Sequence, residues 1–200
     1  MSIRRRDDPA DFDAAYYDRF YGAQAVHDAD RITHLAAAVH HLAEWWQVRI
    51  HSVLDVGAGT GLWRDWYRTT HPHVRVRSVD VSPYACKTFG HERRNISEWR
   101  PSGRFDLVVC HSVLQYMDDE HAARAVDHVG AATRYLLYLE VPTTDDLSTF
   151  VDPCRTDMHV YQRSGDWYRH HLDPHLRQVG AGLWAPRDAV PLFELEAAGD

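Results

Sequence analysis

The chain has 200 residues and a formal net charge of −7, from 22 Lys and Arg against 29 Asp and Glu. A negative chain gains no overall attraction to nucleic acid or to an acidic membrane, so neither is expected as a partner. The length predicts one domain. The N-terminal residues lack the apolar core of a signal peptide, and no apolar stretch is long enough to span a bilayer. Three cysteines, an odd number without metal-ligand or redox spacing, favour a reducing cytoplasm over a disulfide framework.

Two helices are predicted ahead of the first strand, over residues 9–21 and 28–47. In the second helix, apolar residues recur at three- and four-residue steps and form one stripe, which can face either the sheet or another subunit. The stripe comprises Ile32, Leu35, Val39, Leu42 and Trp46. A monomer and a homodimer are therefore both possible. Residues 1–47 are expected to form a helical cap on a core of residues 48–200, with Arg4–Arg6 as a solvated tail.

Beyond residue 47, strands alternate with helices. The strands are expected at 51–56, 74–79, 93–96, 105–110 and 135–141, and the helices at 62–70, after Pro83, at 118–132 and at 164–172. An irregular acidic stretch is expected at 142–157. Two further strands, near 176–186 and 190–196, are separated by so short a turn that they must pair antiparallel. Such alternation builds a parallel sheet covered on both faces, which binds ligands where the strand order reverses.

The first strand runs into the glycine-rich turn of VLDVGAGTGLW, residues 53–63. Glycines in such a turn either permit a positive φ or let a ligand approach the backbone. A dinucleotide-binding turn reads GxGxxG, but here the spacing is Gly57-x-Gly59-x-Gly61, and Leu62 stands in the place of the last glycine. No GKS or GKT follows, which excludes a phosphate-cradling loop as well.

Two aspartates indicate what the turn binds. Asp55 precedes the glycines and suits an ammonium group better than a pyrophosphate. Asp80 ends the second strand 19 residues beyond Gly61, where an acid accepts hydrogen bonds from ribose hydroxyls. A ligand with adenosine at one end, an amino acid at the other and no phosphate satisfies both carboxylates. That ligand is S-adenosylmethionine.

Four segments in this order resemble the class I S-adenosylmethionine-dependent methyltransferases, and the resemblance spans roughly residues 12–196. The segments are LDVGAGTG, VDVSPYA, NISEW at 95–99 and FDLVVCHSVLQYMDD at 105–119. The closing segment from Asp157 is similar to small bacterial members of that superfamily. The resemblance implies a Rossmann-like, doubly wound, seven-stranded α/β fold whose mostly parallel sheet gains one antiparallel strand from the last hairpin. It also implies S-adenosylmethionine as cofactor and S-adenosylhomocysteine as product.

The resemblance implies roles for residues at the matching positions. Asp55 and the turn backbone would face the methionine half of the cofactor, and Asp80 the ribose. Val81 and Ile96 would border the adenine, and Asn95 would pair with the adenine amino group through its side-chain carbonyl. The implied cofactor contacts are Tyr21, Asp55, Gly57, Ala58, Gly59, Asp80, Val81, Asn95, Ile96 and His111.

Candidates for catalysis and acceptor binding lie in three places. His111 follows a predicted strand and would act as a general base for an acceptor that must lose a proton, although family members often have no dedicated base. Tyr16 and Tyr17 belong to an aromatic helix that would fold across the cofactor. If residues 157–163 are extended, alternation places four polar side chains on one side, including Arg163 for a substrate carboxylate. The predicted catalytic residues are His111, Tyr16, Tyr17 and His159, and the predicted acceptor contacts are Tyr17, Tyr116, Asp157, His159 and Arg163.

Methyl transfer to an oxygen or nitrogen atom of a small molecule is the primary interpretation. Transfer or cyclisation of the aminocarboxypropyl arm of the cofactor is an alternative, as is a protein that only binds S-adenosylmethionine. A nicotinamide-dependent reductase is disfavoured by Leu62. No metal is expected, because Asp118-Asp119-Glu120 is typical of a helix start and the 15 histidines form no HExxH pair.

Overall fold

The computed structural model describes residues 5–22 and 28–197. The helices are α1 (Ala14–Tyr21), α2 (Ala29–Trp45), α3 (Leu62–Thr70), α4 (Pro83–Phe89), α5 (Asp119–Ala132), α6 (Thr144–Thr149) and α7 (Gly165–Leu172). The strands are β1 (Ser52–Val56), β2 (Arg75–Asp80), β3 (Glu92–Arg93), β4 (Phe105–His111), β5 (Thr133–Glu140), β6 (Arg177–Gly180) and β7 (Leu183–Ala185). Short 3-10 helices lie at Pro9–Asp11, Leu114–Tyr116 and Glu194–Glu196. Within the two described ranges, no helix combines the length and the apolar character needed to cross a membrane.

The seven strands form one sheet in the order β3-β2-β1-β4-β5-β7-β6. The strands from β3 to β5 pair in parallel, β7 is antiparallel to β5, and β6 is antiparallel to β7. The predicted fold class is therefore confirmed. The chain moves outward from β1 to β2 and β3 and then returns to place β4 on the other side of β1. The strand order thus reverses between β1 and β4, and the carboxyl ends of these strands form the switch point.

Side chains of the central strands alternate between two apolar layers. On one face, Val53 and Leu107 pack in a cluster with Trp63 of α3 and with residues of α2. On the other face, Leu54 and Val108 pack in a cluster with residues of α5 and α7. All five residues of β1 are buried, as expected for a central parallel strand with helices on both sides.

The predicted N-terminal cap divides into two parts. Helix α2 belongs to one of the layers on the sheet, because Ile32 and Val39 of its stripe are buried in that core, whereas Leu42 is 36% exposed. The stripe therefore faces the sheet. Helix α1 lies instead beside the carboxyl ends of β2 and β4, where its aromatic residues pack with Val81 and Tyr116. Of these two helices, α1 is the one whose aromatic residues lie over the switch point.

The final hairpin differs from its prediction. Both of its strands lie inside 176–186, where one strand was expected, and residues 190–196, all within the described range, form no strand. The reason is a turn that the prediction overlooked. Gly180, Ala181 and Gly182 have φ values of 122°, 49° and 78°, a run of positive φ that reverses the chain between β6 and β7.

Two further segments also differ from expectation. The stretch at 142–157 contains α6, which begins with a capping box in which Thr143 and Asp146 exchange side-chain and backbone hydrogen bonds. In the tail, Arg6 donates a hydrogen bond from Nε to the buried Asp157 at 2.7 Å, so this residue is anchored and not solvated. Arg4 lies outside the described residues.

Candidate active site

The glycine turn between β1 and α3 brings bare backbone to the switch point. Gly57 and Gly59 have φ values of 65° and 56°, a region that side-chain-bearing residues rarely adopt. A Cβ atom on Gly57 would lie 2.3 Å from a methyl carbon of Val113, so no side chain fits there without displacing that residue. A Cβ atom on Gly59 would point at the ring of Tyr17, 3.7 Å away, and occupy space that a ligand needs.

Asp80 closes the turn from the end of β2. Its side chain is buried, its Oδ2 accepts a hydrogen bond from the backbone N–H of Gly59 at 2.8 Å, and its Oδ1 accepts one from Ser82 at 2.8 Å. Burial raises the pKa of Asp80, and these hydrogen bonds oppose the rise. Because a carboxylate can accept about four hydrogen bonds, Asp80 can still accept from hydroxyl groups of a ligand.

His91 holds the other backbone group of the same residue, Gly59. Its Nε2 lies 3.0 Å from the carbonyl oxygen of Gly59, and its Nδ1 lies 2.9 Å from Oγ of Ser78. Burial lowers the pKa of His91, so a neutral ring that donates from Nε2 and accepts at Nδ1 fits both contacts. Gly59 is thus fixed through its N–H by Asp80 and through its C=O by His91.

Asp55 is a buried carboxylate with spare hydrogen-bonding capacity. It is 2% exposed, and its Oδ2 has no hydrogen-bond partner within the described part of the chain. Burial raises its pKa to about 7, against a hydrogen bond from the backbone of Arg64. With Ala58, Tyr21 and His111, it lines a small cavity of about 30 Å³. Because an unpartnered buried acceptor costs about 1–3 kcal/mol, a cationic group beside Asp55 would be stabilising.

A cavity of about 410 Å³, here called the main cavity, opens beside Asp80 under helix α1. Its volume falls within the range typical of small-molecule sites. Its lining includes Tyr16, Tyr17, Tyr21, Asp80, Val81, Asn95 and Tyr116. The ring of Tyr17 stacks on Tyr84 at 5.7 Å, and the hydroxyls of Tyr16 and Tyr116 are 2.9 Å apart. Burial raises the pKa of the four tyrosines that line the cavity, Tyr16, Tyr17, Tyr21 and Tyr116, so they face it as neutral phenols.

A third space of about 140 Å³, here called the inner cavity, lies between α1 and residues 151–157. Tyr21 and Ser112 line the main cavity, the inner cavity and the small cavity at Asp55, so all three spaces adjoin at this pair. Ser112 follows β4 with φ of 57°, and its Oγ donates a hydrogen bond to Oε2 of Glu140 at 2.6 Å. The ends of β4 and β5 are thereby joined at the junction of the three cavities.

A family model described as a methyltransferase domain matches residues 27–191, most of the chain. The chain belongs to the S-adenosylmethionine-dependent methyltransferases. No curated protein matches the sequence. The family model covers the glycine turn and Asp80, together with the switch point between β1 and β4. The matched residues therefore include the segment that builds the site.

Several solved methyltransferases share the fold. The N-methyltransferase NodS from Bradyrhizobium japonicum, solved with S-adenosylhomocysteine, is 16% identical with a TM-score of 0.56, over 80% of this chain and 87% of NodS. Magnesium protoporphyrin IX methyltransferase from Synechocystis is 18% identical with a TM-score of 0.57, over 84% of this chain and 89% of that enzyme. An O-methyltransferase family protein from Burkholderia thailandensis is 14% identical with a TM-score of 0.56, over 80% of this chain. This chain spans 58% of the Burkholderia protein.

S-adenosylmethionine is the cofactor of this family, and the site of this methyltransferase fits it. The unpartnered oxygen of Asp55 suits a cationic amino group, and the carboxylate of Asp80 suits a pair of hydroxyls. Tyr21 lines the main cavity and the small cavity at Asp55, so one elongated molecule can pass the ring of Tyr21 and reach both Asp55 and Asp80. Gly59 leaves room for that molecule against the backbone.

The residues predicted to surround adenine occupy different environments. Val81 and Asn95 line the main cavity. The Oδ1 atom of Asn95, however, accepts hydrogen bonds from the backbone N–H and the hydroxyl of Ser97, at 3.1 and 2.9 Å, so both of its lone pairs are occupied. Ile96 is buried in the core cluster next to α5, and its carbonyl accepts a hydrogen bond from His128 at 2.7 Å. Asn95 therefore offers its NH₂ group, not its carbonyl, and Ile96 contributes to the core.

His111 is placed at the end of β4 beside Asp55, but its ring nitrogens are engaged. Nδ1 accepts a hydrogen bond from the indole N–H of Trp63 at 3.2 Å, and Nε2 lies 3.3 Å from Oε2 of Glu140. A neutral imidazole has one lone pair, and here the Trp63 contact occupies it. In this arrangement both ring nitrogens of His111 are engaged, one by Trp63 and the other by Glu140.

The predicted acceptor contacts in residues 157–163 do not share one side. In this segment every third residue is buried, namely Asp157, Val160 and Arg163. The segment pairs with no strand in the described sheet, so the two-residue alternation expected of an extended strand does not apply. Arg163 donates to Asp119 and to the carbonyls of Leu114 and Met117, and thus pins the turn after β4. His159 is exposed and is not among the residues that line the cavities described above.

Tyr116 and Asp157 both line the inner cavity. Sequence reasoning overlooked five polar residues of that cavity, namely Ser112, Gln115, Glu140, Arg155 and Thr156. The signal was present, because Ser112 directly follows β4 and Glu140 ends β5, and carboxyl ends of parallel strands meet at the ligand edge. Gln115 sits in the 3-10 helix that follows and carried no comparable signal.

Proposed function

We propose that this methyltransferase transfers the methyl group of S-adenosylmethionine to a nitrogen or oxygen atom of a small molecule. The observation that carries the proposal is the pair of buried carboxylates, Asp55 and Asp80, at the ends of adjacent strands, with their cavities joined at Tyr21. The negative net charge disfavours nucleic acid as an alternative acceptor. The cytoplasmic location expected from cysteine usage is part of the same proposal.

In this proposal the cofactor lies across the ends of β1 and β2. Asp80 would accept hydrogen bonds from both ribose hydroxyls, and Asp55 would pair with the ammonium group of the methionine half. Asn95 would donate from its NH₂ group to a ring nitrogen of adenine, beside Val81. Each contact uses an atom that the protein leaves available, which supports the assignment.

When bound, the cofactor supplies a methyl group on a positively charged sulfur. Tyr21 and Tyr16 would surround that charge with neutral phenol rings, which attract cations. Because the reaction is an in-line displacement, most of the rate comes from holding the acceptor atom in line with the methyl group. The inner cavity is the proposed place for the acceptor, since it adjoins the main cavity through Tyr16, Tyr21 and Tyr116.

Of the four predicted catalytic residues, His111, Tyr16 and Tyr17 line the cavities and His159 does not. Raised pKa values make the two tyrosines poor bases, so their proposed role is to position and to shield. His111 is proposed to orient Glu140 and not to act as the base itself, because its accepting nitrogen is occupied. Any proton that the acceptor loses would pass to solvent or to Glu140.

Product analysis tests the proposal directly. The protein is incubated with S-adenosylmethionine and a mixture of small amines, phenols and carboxylic acids, and released nucleosides are separated by chromatography. We expect S-adenosylhomocysteine to appear only when the mixture is present, and to disappear in Asp80→Ala but not in Asp166→Ala, an exposed control. Methylthioadenosine would instead show attack on the aminocarboxypropyl arm. Binding without any product would show a protein that only retains the cofactor.

A further inference from the structure

The inner cavity has a chemical character of its own. Its volume of about 140 Å³ is below half of the ~300 Å³ at which sites for drug-sized ligands begin, so it admits a small molecule or the end of a larger one. Its walls near the main cavity are aromatic, from Tyr16, Phe20, Tyr21 and Tyr116. An acceptor bound here would therefore have an apolar body.

Gln115 gives the cavity an unsatisfied hydrogen-bond acceptor. The residue is 4% exposed and lines the inner cavity, and its Oε1 has no hydrogen-bond partner within the described part of the chain. Leaving such an oxygen unpaired is costly, so buried amide oxygens are normally paired. Because the atom can only accept, the missing partner must be a donor, such as an N–H or O–H group.

Glu140 adds a negative charge on the same lining. Its Oε2 is held by the hydroxyl of Ser112 at 2.6 Å and by Nε2 of His111 at 3.3 Å. A carboxylate can accept about four hydrogen bonds, so it retains capacity for a ligand. The held orientation keeps the charge at the junction with the main cavity, where Ser112 lines both spaces.

The remaining charges of the cavity do not cancel Glu140 at this junction. Asp157 is buried and paired with Arg6 at 2.7 Å, so these two charges offset each other. Arg155 also lines the cavity, but it is an exposed residue, on the solvent side of the segment 151–157. The end of the cavity at the junction therefore presents hydrogen-bond acceptors and the negative charge of Glu140, whereas the solvent end carries the cation of Arg155.

We propose that the acceptor of this methyltransferase is a small apolar amine, bound in the inner cavity with its nitrogen between Gln115 and Glu140. The proposal rests on the proposed function and narrows its substrate class from nitrogen or oxygen to nitrogen. As the new C–N bond forms and the C–S bond breaks, positive charge moves from sulfur to the amine nitrogen. The bound ammonium loses one proton to solvent before its nitrogen attacks, and Glu140 stabilises the positive charge that the methylated nitrogen then carries. A carboxylate acceptor would meet repulsion from Glu140.

Three probes of nearly equal size separate charge from shape: benzylamine, benzyl alcohol and benzoate. Each is titrated into the full chain saturated with S-adenosylhomocysteine, and binding is followed by ligand-observed NMR. We expect benzylamine to bind about tenfold more tightly than benzyl alcohol, and benzoate most weakly. Equal affinities, a preference for either of the other probes, or no binding of any probe would overturn the proposal.

Two variants locate the preference in the cavity. Glu140→Gln keeps the shape and removes the charge, so benzylamine should lose most of its advantage over benzyl alcohol. Gln115→Leu removes the buried acceptor at similar volume and should weaken benzylamine about fivefold. Glu194→Gln, far from the cavity in the C-terminal 3-10 helix, is the matched control. If a variant fails to fold, the comparison of the three probes on the wild type decides alone.

The two proposals fail in different ways. Wild-type protein that binds S-adenosylhomocysteine but shows no charge preference among the probes contradicts the amine proposal and leaves the cofactor assignment standing. Protein that is folded but does not bind S-adenosylhomocysteine contradicts both. A preference for benzylamine that Glu140→Gln leaves unchanged places the amine elsewhere and also overturns the proposal.

Discussion

The Oδ2 atom of Asp80 accepts a hydrogen bond from the backbone N–H of Gly59 at 2.8 Å. This bond joins the end of β2 to the turn after β1, so the residue proposed to hold the ribose also shapes the loop on which the cofactor is proposed to lie. His91 fixes the carbonyl group of the same residue. The turn is therefore ordered before any ligand binds, and little conformational entropy is lost on binding.

Gly57→Ala should lower the free energy of unfolding markedly more than an alanine substitution at another glycine of positive φ. Gly103 has φ of 88° with nothing within 4 Å of its would-be Cβ, so Gly103→Ala should cost about 1 kcal/mol of unfolding free energy from backbone strain alone. Gly57→Ala adds the clash with Val113 and should cost about 3 kcal/mol in total. Urea unfolding measures both values.

A double variant checks the cause. Gly57→Ala combined with Val113→Ala removes the clashing methyl group, and the pair should be more stable than the sum of the two single effects predicts. Simple additivity of the two changes, or equal costs at Gly57 and Gly103, would show that the close approach to Val113 is not what requires glycine.

Affinity for S-adenosylmethionine should fall as the pH is lowered through about 7. In the free protein burial raises the pKa of Asp55 to about 7, so below this pH the carboxyl is largely protonated and must release its proton to pair with an ammonium group. The limiting slope is about tenfold in affinity per pH unit. Calorimetry in phosphate and in Bis-Tris, two buffers that work near this pH and differ in ionisation enthalpy, should detect the released proton near pH 6.

Asp55→Asn is the control for this pH dependence. The amide cannot titrate, so the variant should bind more weakly above pH 7 and show a flat profile below it. An unchanged slope in Asp55→Asn would assign the proton to another group and remove the reason for placing the ammonium at Asp55.

Arg163→Gln should reduce stability and leave cofactor binding intact. The guanidinium is buried and donates to the carbonyls of Leu114 and Met117, which the variant leaves without their donors, at a cost of about 3 kcal/mol. Arg169→Gln breaks only an exposed pair with Asp166 and should cost less than about 0.5 kcal/mol. Equal stability of the two variants in urea would contradict the structural role of Arg163.

A histidine cluster between α2 and α3 should make stability depend on pH. His40 stacks on His71 at 3.8 Å, with His41, His73 and Glu44 nearby, and burial is the first cause that lowers the pKa of both stacked rings. A depressed folded-state pKa means that the unfolded chain binds more protons. This contribution to stability is complete above about pH 6.5 and is lost as the pH falls toward the folded-state pKa.

His71→Gln isolates the effect of the cluster, because Asp55 has the opposite sign. The raised pKa of Asp55 lowers the free energy of unfolding as pH rises toward about 7, in wild type and variant alike. Thermal unfolding from pH 7 to pH 5 should therefore show wild type losing stability relative to His71→Gln. If the difference in stability between wild type and His71→Gln is the same at pH 7 and pH 5, the stacked pair of His40 and His71 does not cause the pH dependence.

Patterns that depend on burial alone were predicted well. The apolar runs of β1 and β4 and the stripe of α2 have one physical solution, namely burial between layers, and the structure confirms them. The glycine turn and Asp80 were located by spacing along the chain. The final hairpin was misplaced because the turn signal of Gly180 and Gly182 was overlooked, although both glycines and Ala181 between them have positive φ.

Polar residues remote in sequence were predicted poorly. Arg163 could bind a substrate carboxylate or groups of the protein itself, and the position of the turn after β4 decides between them. Its partner Asp119 is 44 residues away in the sequence, so no local pattern predicts the contact. The same holds for His111, whose accepting nitrogen is occupied by Trp63 from another helix. Residue type fixes which contacts are possible, and only packing decides which of them form.

Calorimetric titration of wild type, Asp80→Ala and the exposed control Asp166→Ala with S-adenosylmethionine tests the cofactor site most directly. We expect wild type and the control to bind in the micromolar range, about −8 kcal/mol, and Asp80→Ala to lose about 3 kcal/mol, more than a hundredfold by the usual conversion of ~1.4 kcal/mol per tenfold. Folded wild-type protein that does not bind, or Asp80→Ala that binds as tightly as wild type, would contradict the assignment of this site.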